Sequence, residues 1–205
     1  MLIKTIPVGR LAANCYVVAD EKTLDCAVID PGDESGAILD YLEEHRLCCR
    51  LILLTHGHAD HVSAAAALAE ETGAAVCMNE KDAHIQLGTG SGYIPPEGTR
   101  FCREGDLLQA GGLTFVVLET PGHTPGGLTF RCEDALFTGD TLFSGSCGRT
   151  DLPGGSMEAM MSSLAKLAAL EGDFEVYPGH MDSTTLQAER RCNYYMRYAQ
   201  QGEEK

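Results

Sequence analysis

Residues 50–61 read Arg-Leu-Ile-Leu-Leu-Thr-His-Gly-His-Ala-Asp-His, and this stretch decides the fold. Its apolar start is typical of a buried β-strand. Because side chains alternate along a strand, His56 and His58 point the same way, while Asp60 and His61 fall where the chain turns. Such a cluster of imidazoles with a carboxylate is metal-ligating by residue type and density. The pattern His-x-His-x-Asp-His arises by chance in on the order of one chain in two thousand, so incidental histidines in a polar turn explain it poorly.

The composition is that of a globular protein. The chain has 205 residues, 44% hydrophobic and 22% charged, which suits a single domain, residues 1–205, with a core of ordinary size. No apolar run approaches the length of a membrane span, and residues 1–7 are too short and interrupted for a signal peptide. The net charge of -15 argues against nucleic acid, whose phosphates need a basic surface. We therefore expect neither a membrane nor a nucleic-acid partner.

The nine cysteines are scattered, odd in number and free of any Cys-x-x-Cys motif. Most flank apolar residues in predicted strands, where a free thiol packs as a small hydrophobic group. Together with the missing signal peptide, this pattern predicts a reducing, cytoplasmic location rather than a disulfide scaffold. Cysteine as a zinc ligand is the alternative interpretation.

The rest of the chain predicts alternating strands and helices. Strands are expected at residues 2–7, 15–19, 26–30, 50–54, 74–78, 113–118, 128–132, 135–138 and 174–177. Helices are expected at residues 33–46 with Ser35 as the cap, and at 62–71, 80–87, 156–170 and 183–199. Residues 88–98 predict a loop beside a pocket, and the nearby His84 is interpreted as an ordinary histidine. Two runs of strands interleaved with helices indicate two sheets face to face with helices outside, an α/β fold.

Three further motifs place donor side chains just after predicted strands. They are Pro-Gly-His123, Gly-Asp140-Thr and Pro-Gly-His180. The complete donor set is His56, His58, Asp60, His61, His123, Asp140 and His180, which uses five of the seven histidines in the chain. The sequence therefore predicts one site, assembled at one edge of the stacked sheets.

These motifs, in this order, resemble the metallo-β-lactamase superfamily between residues 30 and 180. The resemblance implies an αββα four-layer sandwich and a site for two divalent metal ions. It implies that one metal is held by His56, His58 and His123, the other by Asp60, His61 and His180, and that Asp140 bridges the two. Asp30 matches a carboxylate that orients the ligands without touching the metal, although a turn aspartate before Pro-Gly is its plainer interpretation. Imidazole and carboxylate donors suit zinc (Zn) first, with iron (Fe) or manganese (Mn) as alternatives.

The chemistry of such a pair can be stated in general terms. Two adjacent divalent cations lower the pKa of a shared water from about 16 towards about 7, so metal-bound hydroxide exists at neutral pH. One cation polarises a carbonyl, the hydroxide attacks it, and the cations stabilise the developing oxyanion. Asp60 and Asp140 can take or return the proton and are the predicted catalytic residues. We therefore expect hydrolysis without a protein nucleophile.

Residues 138–151 and 189–194 are similar to the short bacterial type of glyoxalase II. This similarity implies a small-molecule thioester substrate, of the hydroxyacylglutathione or S-lactoylglutathione kind. Longer glyoxalase II proteins have a lysine and an aromatic residue where this chain has Arg149 and Asp151, and they carry a C-terminal helical extension that is not found here. Arg149 can bind a substrate carboxylate bidentately, but a buried or capping arginine paired with Asp151 explains it equally well.

Two other activities are weighed against this one. Persulfide dioxygenases share the motifs but resemble a mononuclear iron site, for which this chain offers His56, His123 and Asp140. The complete second ligand set and Gly179 favour the hydrolase. Hydrolysis of another small ester or lactone is the second alternative. A metal-binding protein without catalytic activity is not favoured, because the set of ligands is complete. The sequence does not specify the thiol carrier or the oligomeric state.

Overall fold

Two six-stranded sheets form the centre of the protein, which is described by a computed structural model covering residues 1–83 and 93–202. The first sheet contains, in order across it, β1 (Leu2–Val8), β2 (Ala13–Ala19), β3 (Asp25–Ile29), β4 (Cys48–Leu53), β5 (Ala75–Met78) and β6 (Arg100–Phe101). The second contains, from edge to edge, β14 (Thr184–Thr185), β13 (Glu175–Pro178), β10 (Ala135–Gly139), β9 (Leu128–Cys132), β8 (Leu113–Glu119) and β7 (Leu107–Ala110). A separate two-stranded ribbon joins β11 (Leu142–Phe143) to β12 (Ser146–Cys147).

Helices cover the outer face of each sheet. They are α1 (Ser35–Glu44), α2 (Ala59–Val62) and α3 (Ala65–Thr72) in the first half, and α4 (Met157–Ala168), α5 (Leu186–Cys192) and α6 (Tyr194–Gly202) in the second. In α1, Ile38 and Leu42 pack against the first sheet. In α4, Met160 and Leu164 pack against the second sheet. These packing layers confirm the αββα four-layer sandwich.

The core between the sheets is built from large apolar side chains on their facing sides. Phe115, Phe130 and Phe137 of the second sheet lie there with Ile29 and Leu53 of the first, and each is at most 1% exposed. Burial of this apolar area is the main favourable contribution to folding. It also holds the two sheets in a fixed relationship, so loops at their shared edge are placed with little freedom.

The direction of the strands decides where the loops with polar residues meet. β10 and β13 are parallel, and β8 runs the same way as β10 because each is antiparallel to β9. In the first sheet, β3, β4 and β5 are parallel. The carboxyl ends of parallel strands share one edge of a sheet. The segments that follow β4, β8, β10 and β13 carry the seven predicted donors, and the next section gives their distances.

Two predicted helices are wrong as single elements. The helix predicted at residues 62–71 is the pair α2 and α3, because the Ala64 amide donates to the Pro31 carbonyl at 3.0 Å and not to a carbonyl of the preceding turn. The helix predicted at 183–199 is α5 and α6, separated by Asn193 in an extended conformation. Asn193 Oδ1 accepts from the amide of Tyr195 at 3.0 Å and so begins a new helix.

Other predictions need smaller corrections. Ser35 is the first residue of α1 rather than its cap, and the cap position is Glu34, which has a left-handed backbone and no capping side-chain bond. The described part of the helix predicted at residues 80–87 is only a 3₁₀ turn, Glu80–Asp82. Residues 84–87 of that helix, His84 among them, and residues 88–92 of the loop predicted at 88–98 lie outside the described residues.

All nine cysteines lie in the described segments and have free thiols, six of them buried. None belongs to a metal-ligating cluster in this part of the chain. The expected packing of thiols as small hydrophobic groups is therefore confirmed, and the alternative of a cysteine ligand has no support. Among the described residues, the helices are too short or too polar to cross a membrane.

Candidate metal centre

The seven predicted donors meet at one edge of the sandwich. The turn after β4 supplies His56 and His58, and the segment after β8 supplies His123. One potential ligand atom from each of these three side chains lies within 4.8 Å of the other two. Asp60 and His61 of α2 form an equivalent group with His180, which follows β13. The structure thus forms the two ligand groups expected from the sequence.

Asp140 lies between the two groups. Its Oδ2 is 3.5 Å from His123 Nε2 in the first group and 3.7 Å from His180 Nε2 in the second. Its Oδ1 is 3.6 Å from His61 Nε2. One carboxylate is therefore close to donors of both groups, which is the position expected of a bridging ligand.

The donor atoms converge closely, and some of them have no partner within the protein. His58 Nδ1 and His123 Nε2 lie only 2.7 Å apart, and His61 Nε2 and His180 Nε2 lie 3.3 Å apart. Among the described residues, the buried atoms His56 Nε2 and Asp140 Oδ1 have no hydrogen-bond partner. Buried polar atoms without partners are costly. Nitrogen and oxygen donors that converge in this way suit Zn, Fe or Mn ions.

Asp30 is buried next to the predicted ligands. It is 2% exposed, and its carboxylate accepts from the amide of Thr55 at 2.7 Å and from Thr55 Oγ1 at 2.6 Å. Its Oδ2 also lies 3.0 Å from His61 Nδ1. A proton on Nδ1 leaves His61 Nε2 facing Asp140, as is usual for a metal-binding histidine. Asp30 thus contacts one predicted ligand directly and the residue before another, as expected of a carboxylate that orients ligands.

Two supporting residues were not predicted from the sequence. Thr55 Oγ1 lies 3.0 Å from His56 Nδ1, so it can accept the proton of that ring and leave Nε2 free. Asp82 is fully buried and accepts from the amides of Gly57 and Gly126. Threonine and aspartate are common in turns, and nothing local in the sequence indicates that these two hold the loops of the site.

Burial and neighbouring charges give the two groups different protonation in the metal-free protein. Burial and the nearby imidazoles lower the pKa of His56 well below its usual value and that of His58 to about 4. Burial would also lower the pKa of His61, but the charge of Asp140 and the contact with Asp30 outweigh it and raise this pKa to about 9. The hydrogen bond with Asp60 raises the pKa of His180. His56 and His58 are thus neutral at pH 7, whereas the His61 ring is protonated on both nitrogens and positively charged.

Above the donors lies an open cavity of about 680 Å³. His58, Asp60, His123, Asp140 and His180 face it, and its remaining lining is Leu11, Ala59, Phe143, Ser146, Cys147, Arg149, Leu152, Pro153 and Met181. Its volume is in the range of small-molecule sites.

The Arg149 side chain is 62% exposed, so the buried-arginine interpretation is wrong. Arg149 is nevertheless paired with Asp151 through two hydrogen bonds of 2.7 and 2.8 Å.

Comparisons with known proteins agree with this geometry. The family model of the metallo-beta-lactamase superfamily matches residues 8–180. The hydroxyacylglutathione hydrolase GloC of Haemophilus influenzae is 36% identical, and the match covers 96% of this chain and 98% of that protein. The crystal structure of BLEG-1 B3 metallo-beta-lactamase matches with a TM-score of 0.87 at 30% identity, covering 95% of this chain and 99% of that one. TTHA1623 in a di-iron-bound form matches with a TM-score of 0.82 at 36% identity, covering 94% and 99%.

Proposed function

Because this chain belongs to the metallo-β-lactamase superfamily, we propose that it is a metal-dependent hydrolase of small acyl thioesters, of the hydroxyacylglutathione kind. The observation that carries the proposal is the position of Asp140, which lies within 3.7 Å of donors in both ligand groups. A carboxylate shared in this way suits a pair of divalent cations, with zinc as the first choice.

The relatives support the thioester substrate. The similarity to GloC, which is named a hydroxyacylglutathione hydrolase, extends over nearly the whole of both chains. A thioester is also suitable chemically, because its carbonyl is reactive and its sulfur leaves readily. The residues between β10 and α4, which resemble the short glyoxalase II type in sequence, contribute Phe143, Cys147 and Arg149 to the cavity wall.

The metal ligands proposed here are His56, His58 and His123 for one cation and Asp60, His61 and His180 for the other, with Asp140 between them. When bound, such a pair makes water nucleophilic at neutral pH and polarises the substrate carbonyl. No serine or cysteine nucleophile is then required, and Cys147 does not suit that role because burial raises the pKa of its thiol to about 11.

The chain's own residues then hold and move protons. Burial tends to raise the pKa of Asp60, but the hydrogen bond from His180 and the charge of His61 outweigh it and lower this pKa to about 2. Asp60 is therefore ionised in the metal-free protein, and its carboxylate can bind a cation or accept a hydrogen bond from water. Asp140 is 11% exposed and reaches both groups, so it can pass a proton across the site. Asp30 keeps the Nδ1 proton of His61 in place.

Metal loading and thioester turnover test the proposal together. The purified protein is loaded with zinc, iron or manganese, its metal content is measured by mass spectrometry, and release of free thiol from S-lactoylglutathione is followed. Loss of a ligand should exceed the roughly 10- to 100-fold cost of losing a supporting residue, so His58→Ala should abolish turnover. Asp140→Asn should reduce the content of both metals.

A matched control is His45→Ala. His45 is exposed, bonds to the Tyr41 carbonyl through Nδ1 at 2.9 Å and stacks on the Tyr41 ring. Removing its imidazole should leave both metal content and turnover unchanged. The proposal is wrong if fully metal-loaded protein releases no thiol, or if Asp140→Asn retains two metals.

Persulfide oxidation at a single iron is the second candidate, with His56, His123 and Asp140 as ligands. The di-iron form of TTHA1623 makes iron a metal to test, because that protein is 36% identical to this one, but its two irons match a paired site rather than a single-iron site. The complete group of Asp60, His61 and His180 favours the hydrolase. Oxygen uptake with glutathione persulfide, measured on iron-loaded protein that lacks thioester turnover, would support the dioxygenase instead.

A further inference from the structure

Several apolar side chains line the cavity above the donors, and two of them are largely exposed. Leu11, in the turn between β1 and β2, is 68% exposed, and Met181, just after His180, is 61% exposed. Both line the same cavity, together with Phe143, Leu152 and Pro153. Single exposed apolar residues are ordinary, but several around one cavity indicate contact with an apolar group.

The two loops that carry Leu11 and Met181 are fastened to each other. Asn14, at the start of β2, donates through Nδ2 to the carbonyls of Pro178 at 3.0 Å and Met181 at 2.9 Å. Its amide donates to the Gly179 carbonyl at 2.8 Å. Met181 has a φ of 69°, a left-handed conformation that is unfavourable for a methionine and persists only where the surroundings impose it. The position of Met181 is therefore built into the fold.

The same cavity has few basic side chains that could bind a carboxylate of a substrate. Of the lysines and arginines in the described segments, only Arg149 lines it. Asp151 already accepts from Arg149 Nε and Nη2. Any part of a substrate that extends beyond the cations therefore meets mainly methyl and methylene groups, with no unpaired cation to receive a peptide carboxylate.

We propose that Leu11 and Met181 form an apolar clamp that selects thioesters with an apolar acyl group of several carbons. The inference rests on the proposed function, because it names which thioesters that site prefers. Glutathione thioesters with small hydroxyacyl groups are then accepted, but they are not the best substrates.

The test uses the metal-loaded protein and the acetyl, butanoyl and hexanoyl thioesters of N-acetylcysteamine, a neutral thiol. From acetyl to hexanoyl, kcat/KM should rise at least about tenfold, because each added methylene buries apolar surface. The rise should come mainly from KM. The hexanoyl thioester should also exceed S-lactoylglutathione in kcat/KM.

Two variants each replace an apolar side chain of the clamp by a polar side chain of similar shape. In Leu11→Asn and in Met181→Gln, the hexanoyl-to-acetyl ratio of kcat/KM should fall about tenfold. Leu107→Asn is the matched control, because Leu107 is 57% exposed on β7 and does not line the cavity. Its ratio should equal that of the parent protein. All three positions are exposed, so thermal unfolding should be little changed.

Binding gives a readout that does not depend on turnover. The non-hydrolysable S-hexyl thioether of N-acetylcysteamine should bind more tightly than the S-methyl one, with a negative heat-capacity change in calorimetry. Leu11→Asn and Met181→Gln should remove most of that difference. Thioester turnover without a hexanoyl preference, or with a preference that both variants retain, overturns the clamp and leaves the proposed function standing. Absence of all thioester turnover overturns the proposed function and the clamp with it.

Discussion

The amide of Gly57 donates a hydrogen bond of 2.9 Å to Asp82 Oδ2, across 25 positions of the chain. The other oxygen of that carboxylate accepts from the Gly126 amide at 2.5 Å. Gly57 lies between His56 and His58, and Gly126 follows His123. One fully buried carboxylate therefore fastens together the two loops that carry the first ligand group.

Replacement of Asp82 by asparagine should weaken this arrangement. The amide has only one acceptor oxygen, and its NH₂ group would face a backbone N–H that then has no acceptor. The free energy of unfolding should fall by about 1–3 kcal/mol, and the metal content of the first group should fall with it. Chemical denaturation and metal analysis measure the two effects. Glu80→Gln, an exposed change in the same turn, is the control; an Asp82→Asn protein as stable as that control would contradict the prediction.

Metal binding to the second group should release a proton. At pH 7 His61 is protonated, since its pKa in the metal-free protein is about 9, and its Nε2 must lose that proton to become a ligand. The affinity of this group should therefore rise at least about tenfold per pH unit between pH 7 and about 9, and the loss of a proton from His180, whose pKa is also raised, adds to the rise. His56 and His58, with lowered pKa values, are already neutral throughout this range.

Competition with a chelator of known pH dependence measures this effect, and calorimetry in two buffers of different ionisation enthalpy counts the protons. The affinity of the first group for its cation should depend less on pH than the affinity of the second group. An equal pH dependence for the two cations would contradict the assignment of the bound proton to His61.

Arg149 should become available when Asp151 loses its charge. The two side chains are 62% and 69% exposed, so water and salt screen the ion pair and it holds Arg149 only weakly. Asp151→Asn should therefore raise kcat/KM for S-lactoylglutathione by only about two- to fivefold, through KM, with no gain for a neutral thioester. Asp25→Asn, which removes the same charge and a similar pair with Arg50, should show no gain with either substrate. An unchanged kcat/KM in Asp151→Asn would exclude Arg149 as a carboxylate ligand.

The fold could be predicted from the sequence wherever the signal is local. The continuous apolar runs at β4 and β10 identify buried strands, and glycine, proline or aspartate after them marks the ends that carry ligands. The breaks within two predicted helices could not be anticipated. They depend on the Pro31 carbonyl and on the bonds of Asn193 Nδ2 to the Ser146 carbonyl and Glu189, partners that only the folded chain brings close.

The same distinction applies to the site. All seven predicted donors occur in compact motifs, so residue type and spacing are enough to predict that they lie together. Asp82 and Asn14 support the site through backbone amides and carbonyls, and any residue type can supply those groups. The pairing of Arg149 with Asp151 can be predicted because the two are near neighbours in the chain, whereas the placing of Leu11 and Met181 on one cavity cannot.

Gly179 should be essential because of its missing side chain. A Cβ at this position would overlap Asp140 Oδ1 and lie 2.8 Å from His61 Cε1, so Gly179→Ala must displace the bridging carboxylate or the imidazole beside it. We expect thioester turnover to fall at least about a hundredfold, since both are proposed ligands, and the second cation to be lost first in metal analysis.

Gly36→Ala is the matched control, because a Cβ there meets nothing within 4 Å. It lies in α1, where alanine in place of glycine should raise the free energy of unfolding by about 0.5–1 kcal/mol without affecting turnover. If Gly179→Ala binds two metals with the affinity of the parent protein, the close packing of Asp140 and His61 is not what holds the second cation.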